Sequence, residues 1–373
     1  MSRKTGKIYA IIQGLAIIDV LLLMLCAILA FKAIDYQKEN ARLAQANEDL
    51  QISLNRAQNP SGESGEAGAG AMESGEMVSD GVPEIPLEEL PESDTKAVLK
   101  SYAEQGKSFI TTLKAIFADQ FVIADEGKFY FMDIDPSLRP YSYDSSKMTL
   151  TDEGVIQYED ESMDVSYGID ISQHNGEIDW EEFYKNDYIP DFIYIRLGLR
   201  GYESGRLVAD TQVSANLIGA RESGAEVGVY FVTQAVNEEE AREEARFVID
   251  TLSDNKVDLP IAIDVEKIEN YQTKPRTADL SAAEYTQNVL AFVDELKKYG
   301  YETMIYGNGK SFMLMMDITK LDDIDKWFAD YVATDDYTPY FPYDFSIWQF
   351  SSQGYMQGIT GDVDLNIRFN KDN

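Results

Sequence analysis

The sequence predicts an α/β protein whose C-terminal part, residues 164–373, is a compact, irregular TIM-like β/α barrel of eight strands. A transmembrane helix, a disordered spacer and a small α+β unit are expected ahead of it. Three observations lead there. From Tyr167 onward, apolar strand-like runs alternate with helical runs. Near the N-terminus an apolar run is long enough to cross a bilayer. Between the two lies a stretch rich in Gly, Ser, Glu and Pro, whose composition cannot bury a core.

Composition narrows the chemistry. At 373 residues the chain exceeds one small domain, and 44% hydrophobic residues suffice for a normal core. A formal charge of -34 excludes nucleic acid as a partner, because phosphate binding needs clustered Lys and Arg. The single Cys, Cys26, lies in the apolar run, which removes a disulfide framework, a thiolate zinc site and a catalytic thiol elsewhere. The single His, His174, removes any site needing two His ligands, and no G-x-S-x-G elbow supports a serine triad. Carboxylates and aromatics remain. No cofactor and no bound metal are expected.

Residues 1–7 form a basic segment (Arg3, Lys4, Lys7), and residues 8–33 read as a single-pass anchor. The run from Ile8 to Phe31, as a helix, spans roughly 36 Å, and the preceding positive charges place the N-terminus in the cytoplasm. A cleaved signal peptide fits less well, because the run is long and no small-x-small site follows it. Leu25 disfavours lipidation at Cys26. Asp19 implies either a polar neighbour in the membrane or a shorter span starting near Val20. Residues 34–57 are a solvated helical stalk with a weak heptad seam. Residues 58–93 are a disordered, acidic spacer whose contribution is reach. This order puts everything after the anchor outside the cell membrane, facing the wall.

Residues 94–163 read as a small α+β unit. An amphipathic helix is expected over Asp94–Phe117, followed by a hairpin from FVIAD and KFYFMDI around Glu126-Gly127, then two short strands. No catalytic constellation is visible there. A spacer or a contact for a protein partner is the default reading, and wall binding the alternative.

In the barrel, strands are expected at Tyr167–Ser172, Phe192–Leu197, Val227–Thr233, Leu259–Glu266, Thr303–Tyr306, Lys326–Tyr331, Phe345–Phe350 and Val363–Ile367. Helices are expected at Ala209–Ser223, Asn237–Ser253 and Ser281–Tyr299. Barrel sites lie at the C-terminal ends of strands, and acids sit there. Asp170 ends the first strand, Asp264 and Glu266 end the fourth, and Asp364 lies in the last. Residues two apart in a strand project to one side, so Asp264 and Glu266 point together. Like charges so placed push one pKa up and leave the other ionised, the division that glycoside hydrolysis requires. A D-x-E at one strand end is also what an ordinary loop acid or a hard-metal site for Mg²⁺ or Ca²⁺ would give.

The unit resembles glycoside hydrolase family 25, the Chalaropsis-type lysozymes. The resemblance rests on GIDISQHNGEIDW, YIRLG, GVYFVTQA, LPIAIDVE, IYGN, WFADY, SIWQFSSQG and GITGDVDLN, in order from Tyr167 to Asn373. It implies a (β/α)5β3 barrel that cuts the β-1,4 bond from N-acetylmuramic acid to N-acetylglucosamine in peptidoglycan. It also implies Glu266 as the acid, with Asp170, Asp264 and Asp364 supporting it. Tyr230, Tyr306, Tyr331 and Trp348, near strand ends in these motifs, are assigned to the glycan cleft, where rings receive the apolar faces of sugars. Trp180 is expected in the core and His174 at the cleft edge. Arg196 is expected either to bind substrate or to pair with a barrel carboxylate. By analogy with substrate-assisted glycosidases, Asp264 would orient the N-acetyl group. Inversion would instead need a water held by Asp170 or Asp364. An idle wall-binding or scaffold protein and a metal-dependent phosphoesterase are the rival readings.

Overall fold

The computed structural model describes residues 95–151, 154–268, 273–331 and 337–370. The segments assigned to a cytoplasmic tail (1–7), an anchor (8–33), a stalk (34–57) and a spacer (58–93) lie outside these residues. Among the described residues no helix is long and apolar enough to cross a membrane.

Helix α1 (Thr95–Glu104) and helix α2 (Phe109–Ile116) replace the single helix expected over Asp94–Phe117. Gly106 adopts a left-handed φ of 68° between them, which suits a residue without a Cβ. Ser108 then caps α2 by accepting from the Thr111 amide. The expected hairpin follows as β1 (Gln120–Asp125) and antiparallel β2 (Lys128–Asp133). Its two-residue turn has positive φ at both Glu126 and Gly127, the geometry that matches strand twist. Strands β3 (Met148–Leu150) and β4 (Ile156–Tyr158) make a second small pair.

The barrel begins with β5 (Asp164–Ile171) and continues through α3 (Trp180–Phe183), β6 (Phe192–Arg200) and the short edge strand β7 (Leu207–Ala209). Next come α4 (Val213–Ser223), β8 (Glu226–Val232), α5 (Glu238–Leu252), β9 (Ile261–Asp264), α6 (Ala282–Lys297) and β10 (Thr303–Asn308). After β10 the crossovers shrink to short turns around Ser311–Met315 and Ile318–Lys320, leading to β11 (Asp325–Ala329), β12 (Ile347–Gly354) and β13 (Val363–Asn370). Strands β5, β6, β8, β9, β10, β11 and β12 run parallel, and β13 closes the ring antiparallel between β12 and β5. Eight strands therefore form the barrel, with one reversed.

Helix α5 shows why these segments fold as they do. Asn237 caps it by accepting from the Glu240 amide, three acids occupy its positive N-terminal turn, and Ala241, Ala245, Val248 and Leu252 are buried on one face. The barrel interior is packed with rings: Phe192, Tyr194, Tyr306 and Trp327, with Tyr230 against them. Glycines make the room. A Cβ at Gly168 would lie 2.3 Å from the Phe192 ring, so a larger residue there would displace it.

Residues 95–163 share one hydrophobic core with the outer layer of the barrel. Phe121 stacks on Tyr340 at 4.7 Å, and Tyr143 stacks on Phe369 at 5.2 Å. The Val122 amide donates to the Tyr340 hydroxyl, and the Asp135 amide to the Tyr343 hydroxyl. Burying a side chain the size of Phe121 contributes about 2–3 kcal/mol. The change at residue 163/164 is thus a change of architecture inside one compact unit, Pro86–Asn373.

Candidate active site

Alternation along the strands decides which side chains meet at the C-terminal mouth. Gly168 and Asp170 of β5 face inward, as do Tyr194 and Arg196 of β6, Gly228 and Tyr230 of β8, and Ala262 and Asp264 of β9. Glu266 continues the β9 series two residues beyond the strand end. The reversed strand β13 brings Asp364 to the same mouth from its N-terminal end, where it pairs in register with Asp170. Asp170, Asp264, Glu266 and Asp364 all line one cavity of 440 Å³, together with Arg196, Tyr230, Tyr306 and Tyr331. His174 lies at its exposed edge.

A hydrogen-bond chain fixes Asp170. Its Oδ2 accepts from Gln349 Nε2 at 2.8 Å and from Asn366 Nδ2 at 2.9 Å. The Asn366 carbonyl in turn accepts from Trp327 Nε1, and Gln349 Oε1 accepts from the hydroxyls of Tyr306 and Tyr331. Burial pushes the Asp170 carboxyl up to about 6 despite these donors. Asp364 is pushed up to about 8, by burial first and then by the charges of Asp170 and Glu266. The two carboxyls sit in register on β13 and β5, and the charge of Asp170 helps hold Asp364 up.

Asp264 is strongly perturbed. Burial raises it well above the usual range, and the charges of Glu266 and Asp170 raise it further, against the opposing pull of Arg196. Its Oδ1 is buried and has no hydrogen-bond partner within the described protein; the same holds for Arg196 Nη2. Arg196 uses its Nε to bind Asp210 at 2.9 Å, so it pairs with a carboxylate outside the acidic quartet and keeps one donor unused. Buried orphans of opposite type in one cavity are what a polar ligand would satisfy. Among the described residues no three His, Cys, Asp or Glu side chains are grouped as a metal site.

One expected cleft residue is elsewhere. Trp348 is 0% exposed, packs on Phe350 in the layer outside the strands, and donates from Nε1 to the Asp330 carbonyl. Strand alternation gives the inward place to its neighbour Gln349. Trp327, which lines the cavity, and Asn366 were not singled out from sequence; the parity of WFADY and DVDLN relative to the acids was the signal available. Trp180, expected in the core, is half-buried and packs edge-on against Phe183.

Comparison with known proteins agrees with this frame. Residues 169–359 match the family model "Glycosyl hydrolases family 25". The uncharacterized protein YegX of Escherichia coli K12 is 26% identical over 205 residues, covering 54% of this chain and 68% of YegX. Among solved structures, the modular autolysin LytC of Streptococcus pneumoniae superposes with a TM-score of 0.47 at 22% identity, over 66% of this chain. The chain spans 57% of that autolysin. A bacterial lysozyme from Streptomyces coelicolor gives a TM-score of 0.43 at 23% identity, covering 56% of this chain and 93% of the lysozyme. The family model covers half of the sequence, from the first barrel strand to the approach to the last; the chain belongs to family 25 of the glycosyl hydrolases.

Proposed function

We propose that the chain is a peptidoglycan hydrolase cutting the β-1,4 bond between N-acetylmuramic acid and N-acetylglucosamine, with Glu266 as general acid. The observation that carries this reading is the pair Asp264 and Glu266, two residues apart at the end of β9, lining one aromatic-walled acidic cavity. Glu266 gives its proton to the leaving oxygen as the glycosidic bond breaks. The acetamido oxygen of the same sugar closes on the anomeric carbon, and Asp264 Oδ1, a buried acceptor with no partner among the described residues, takes the acetamido N–H. Asp264 acts in its ionised form, its proton having been released to solvent before the bond breaks, and the positive charge developing on that ring favours this form. Water then opens the ring while Glu266, now ionised, removes its proton, so the configuration is retained. Tyr331, 55% exposed at the rim, offers a ring to an incoming sugar.

The same reading includes location. With Arg3, Lys4 and Lys7 before the apolar run, residues 8–33 act as a membrane anchor and hold the barrel outside the cell, facing the wall. The deciding experiment is mass spectrometry of muropeptides after digestion of peptidoglycan with the full chain. Reducing-end N-acetylmuramic acid is expected. Reducing-end N-acetylglucosamine or a 1,6-anhydro product would overturn the assignment. Protease added to intact protoplasts should release the barrel, and full protection would refute the topology.

A further inference from the structure

Glu266 stands beyond the end of β9, where the ladder no longer fixes the backbone. On its N-terminal side the Val265 amide is bonded to the Tyr306 carbonyl at 3.0 Å. On its C-terminal side the chain is held by Lys267. In extended backbone, neighbouring side chains point to opposite faces. Accordingly Glu266 lines the catalytic cavity, whereas Lys267 lines a separate cavity of 380 Å³ on the side of the β1–β2 hairpin.

Lys267 reaches the hairpin turn. Its Nζ lies 2.7 Å from Asp125 Oδ2 and 2.8 Å from Glu126 Oε1. A second cation, Lys310 from the loop after β10, lies 3.1 Å from the other oxygen of Asp125. The Asp125 side chain is 10% exposed, while Glu126 is 74% exposed, so the Asp125 contact is the one shielded from water and salt. Burial alone would push the Asp125 carboxyl up; the two ammonium groups outweigh it and hold it below its usual range. The hairpin is itself pinned, because Phe121 stacks on Tyr340 and lies against Gly309, where a Cβ would come within 3.1 Å of its ring.

We propose that Asp125 is a positioning residue of the active site, fixing through Lys267 the loop that carries Glu266. It is supplied by sequence ahead of the family match, which begins at residue 169. The helix–hairpin segment therefore braces the chain leaving the catalytic mouth from behind, without lining the catalytic cavity itself. This inference rests on the role proposed above for Glu266.

The test is steady-state kinetics of the full chain on a defined glycan oligosaccharide, with melting midpoints measured in parallel. Asp125→Asn should lower kcat by about tenfold with KM within about twofold, because a displaced acid acts on the transition state rather than on binding. Asp125→Glu should recover most of the loss. Lys267→Met should reproduce it, and the double variant should be no worse than either single one, since both act through one contact. Should Asp125→Asn fail to fold, Lys267→Met with Asp125→Glu carries the same test. Turnover of Asp125→Asn within about twofold of wild type, a loss confined to KM, or additive losses in the double variant would each overturn the inference while leaving the muramidase reading intact. A wild-type chain without turnover would overturn both.

Discussion

Substituting Asp364 by Asn removes one member of the carboxyl pair that β13 and β5 hold in register, while keeping its size. An unfolded Asp titrates near 3.9, whereas burial and neighbouring charge push Asp364 up to about 8 and Asp170 up to about 6 in the folded protein. Between pH 4 and 8 the folded state therefore binds more protons than the unfolded state, so stability falls as pH rises through that window. Holding one carboxyl at about 8 rather than about 3.9 would correspond to about 5 kcal/mol if nothing relaxed. Asp364 is only half-buried and is coupled to Asp170, which reduces the realistic figure to about 2 kcal/mol. Asp364→Asn should thus be more stable than wild type by about 2 kcal/mol at pH 8, and within about 0.5 kcal/mol of it at pH 4.5. Urea titrations of the full chain, followed by tryptophan fluorescence across that range, measure the difference directly. A stability difference independent of pH, or a less stable variant at pH 8, would refute the account of a carboxyl pair held up by burial and mutual charge.

The other expectations concern the same mouth. Glu266→Gln should cost about 10² or more in kcat, and Asp264→Asn should be strongly impaired with retained anomeric configuration by NMR of the first product; inversion would sink the substrate-assisted scheme. Gln349→Leu strands the buried Tyr306 hydroxyl and takes one donor from Asp170, so it should lose about 2 kcal/mol of stability together with activity. By contrast, Trp348→Phe removes the bond to the Asp330 carbonyl and leaves a small cavity outside the strands, so it should lower the melting midpoint while kcat stays near wild type. Prolonged EDTA treatment should leave turnover unchanged; loss that Mg²⁺ or Ca²⁺ restores would contradict a site built on protons and carboxylates.

Much of the barrel was legible because strand and helix periods alternate cleanly from Tyr167 onward, and because the acids interrupt otherwise apolar strand ends. What was not legible depended on long-range choices. The helix expected over Asp94–Phe117 breaks because Gly106 takes a left-handed φ and Ser108 offers a new cap, a local option that amphipathic spacing does not reveal. Trp348 was assigned to the cleft because a tryptophan suits sugar binding, yet pairing of β11 with β12 sets Ala329 opposite Gln349 and turns Trp348 outward. The clamp on Lys267 joins residues 142 positions apart and leaves no trace in any motif.

Burial separates the roles of Asp264 and Glu266 in a way their D-x-E spacing does not. The sequence reading expected one of the pair to be driven up and the other left ionised, and it gave the acid's task to Glu266. Asp264 is the deeper of the two: it ends a buried strand, where the charges of Glu266 and Asp170 raise it and that of Arg196 opposes them. Burial and these charges therefore hold the Asp264 carboxyl against ionisation. A neutral buried carboxyl is a poor stabiliser of positive charge, so Asp264 can serve the proposed scheme only if its ionisation is coupled to charge forming on the substrate. Glu266, beyond the strand end and half-buried, lines the same cavity, where the proposed scheme has a leaving group depart and water enter. One position thus favours charge generated during the reaction, and the other favours exchange of protons with what comes and goes. Exchanging the two residues, Asp264→Glu with Glu266→Asp, keeps a carboxyl at each depth but shifts each by one methylene, and kcat should collapse because reach at a given depth sets the task; near-wild-type turnover would refute this division of labour.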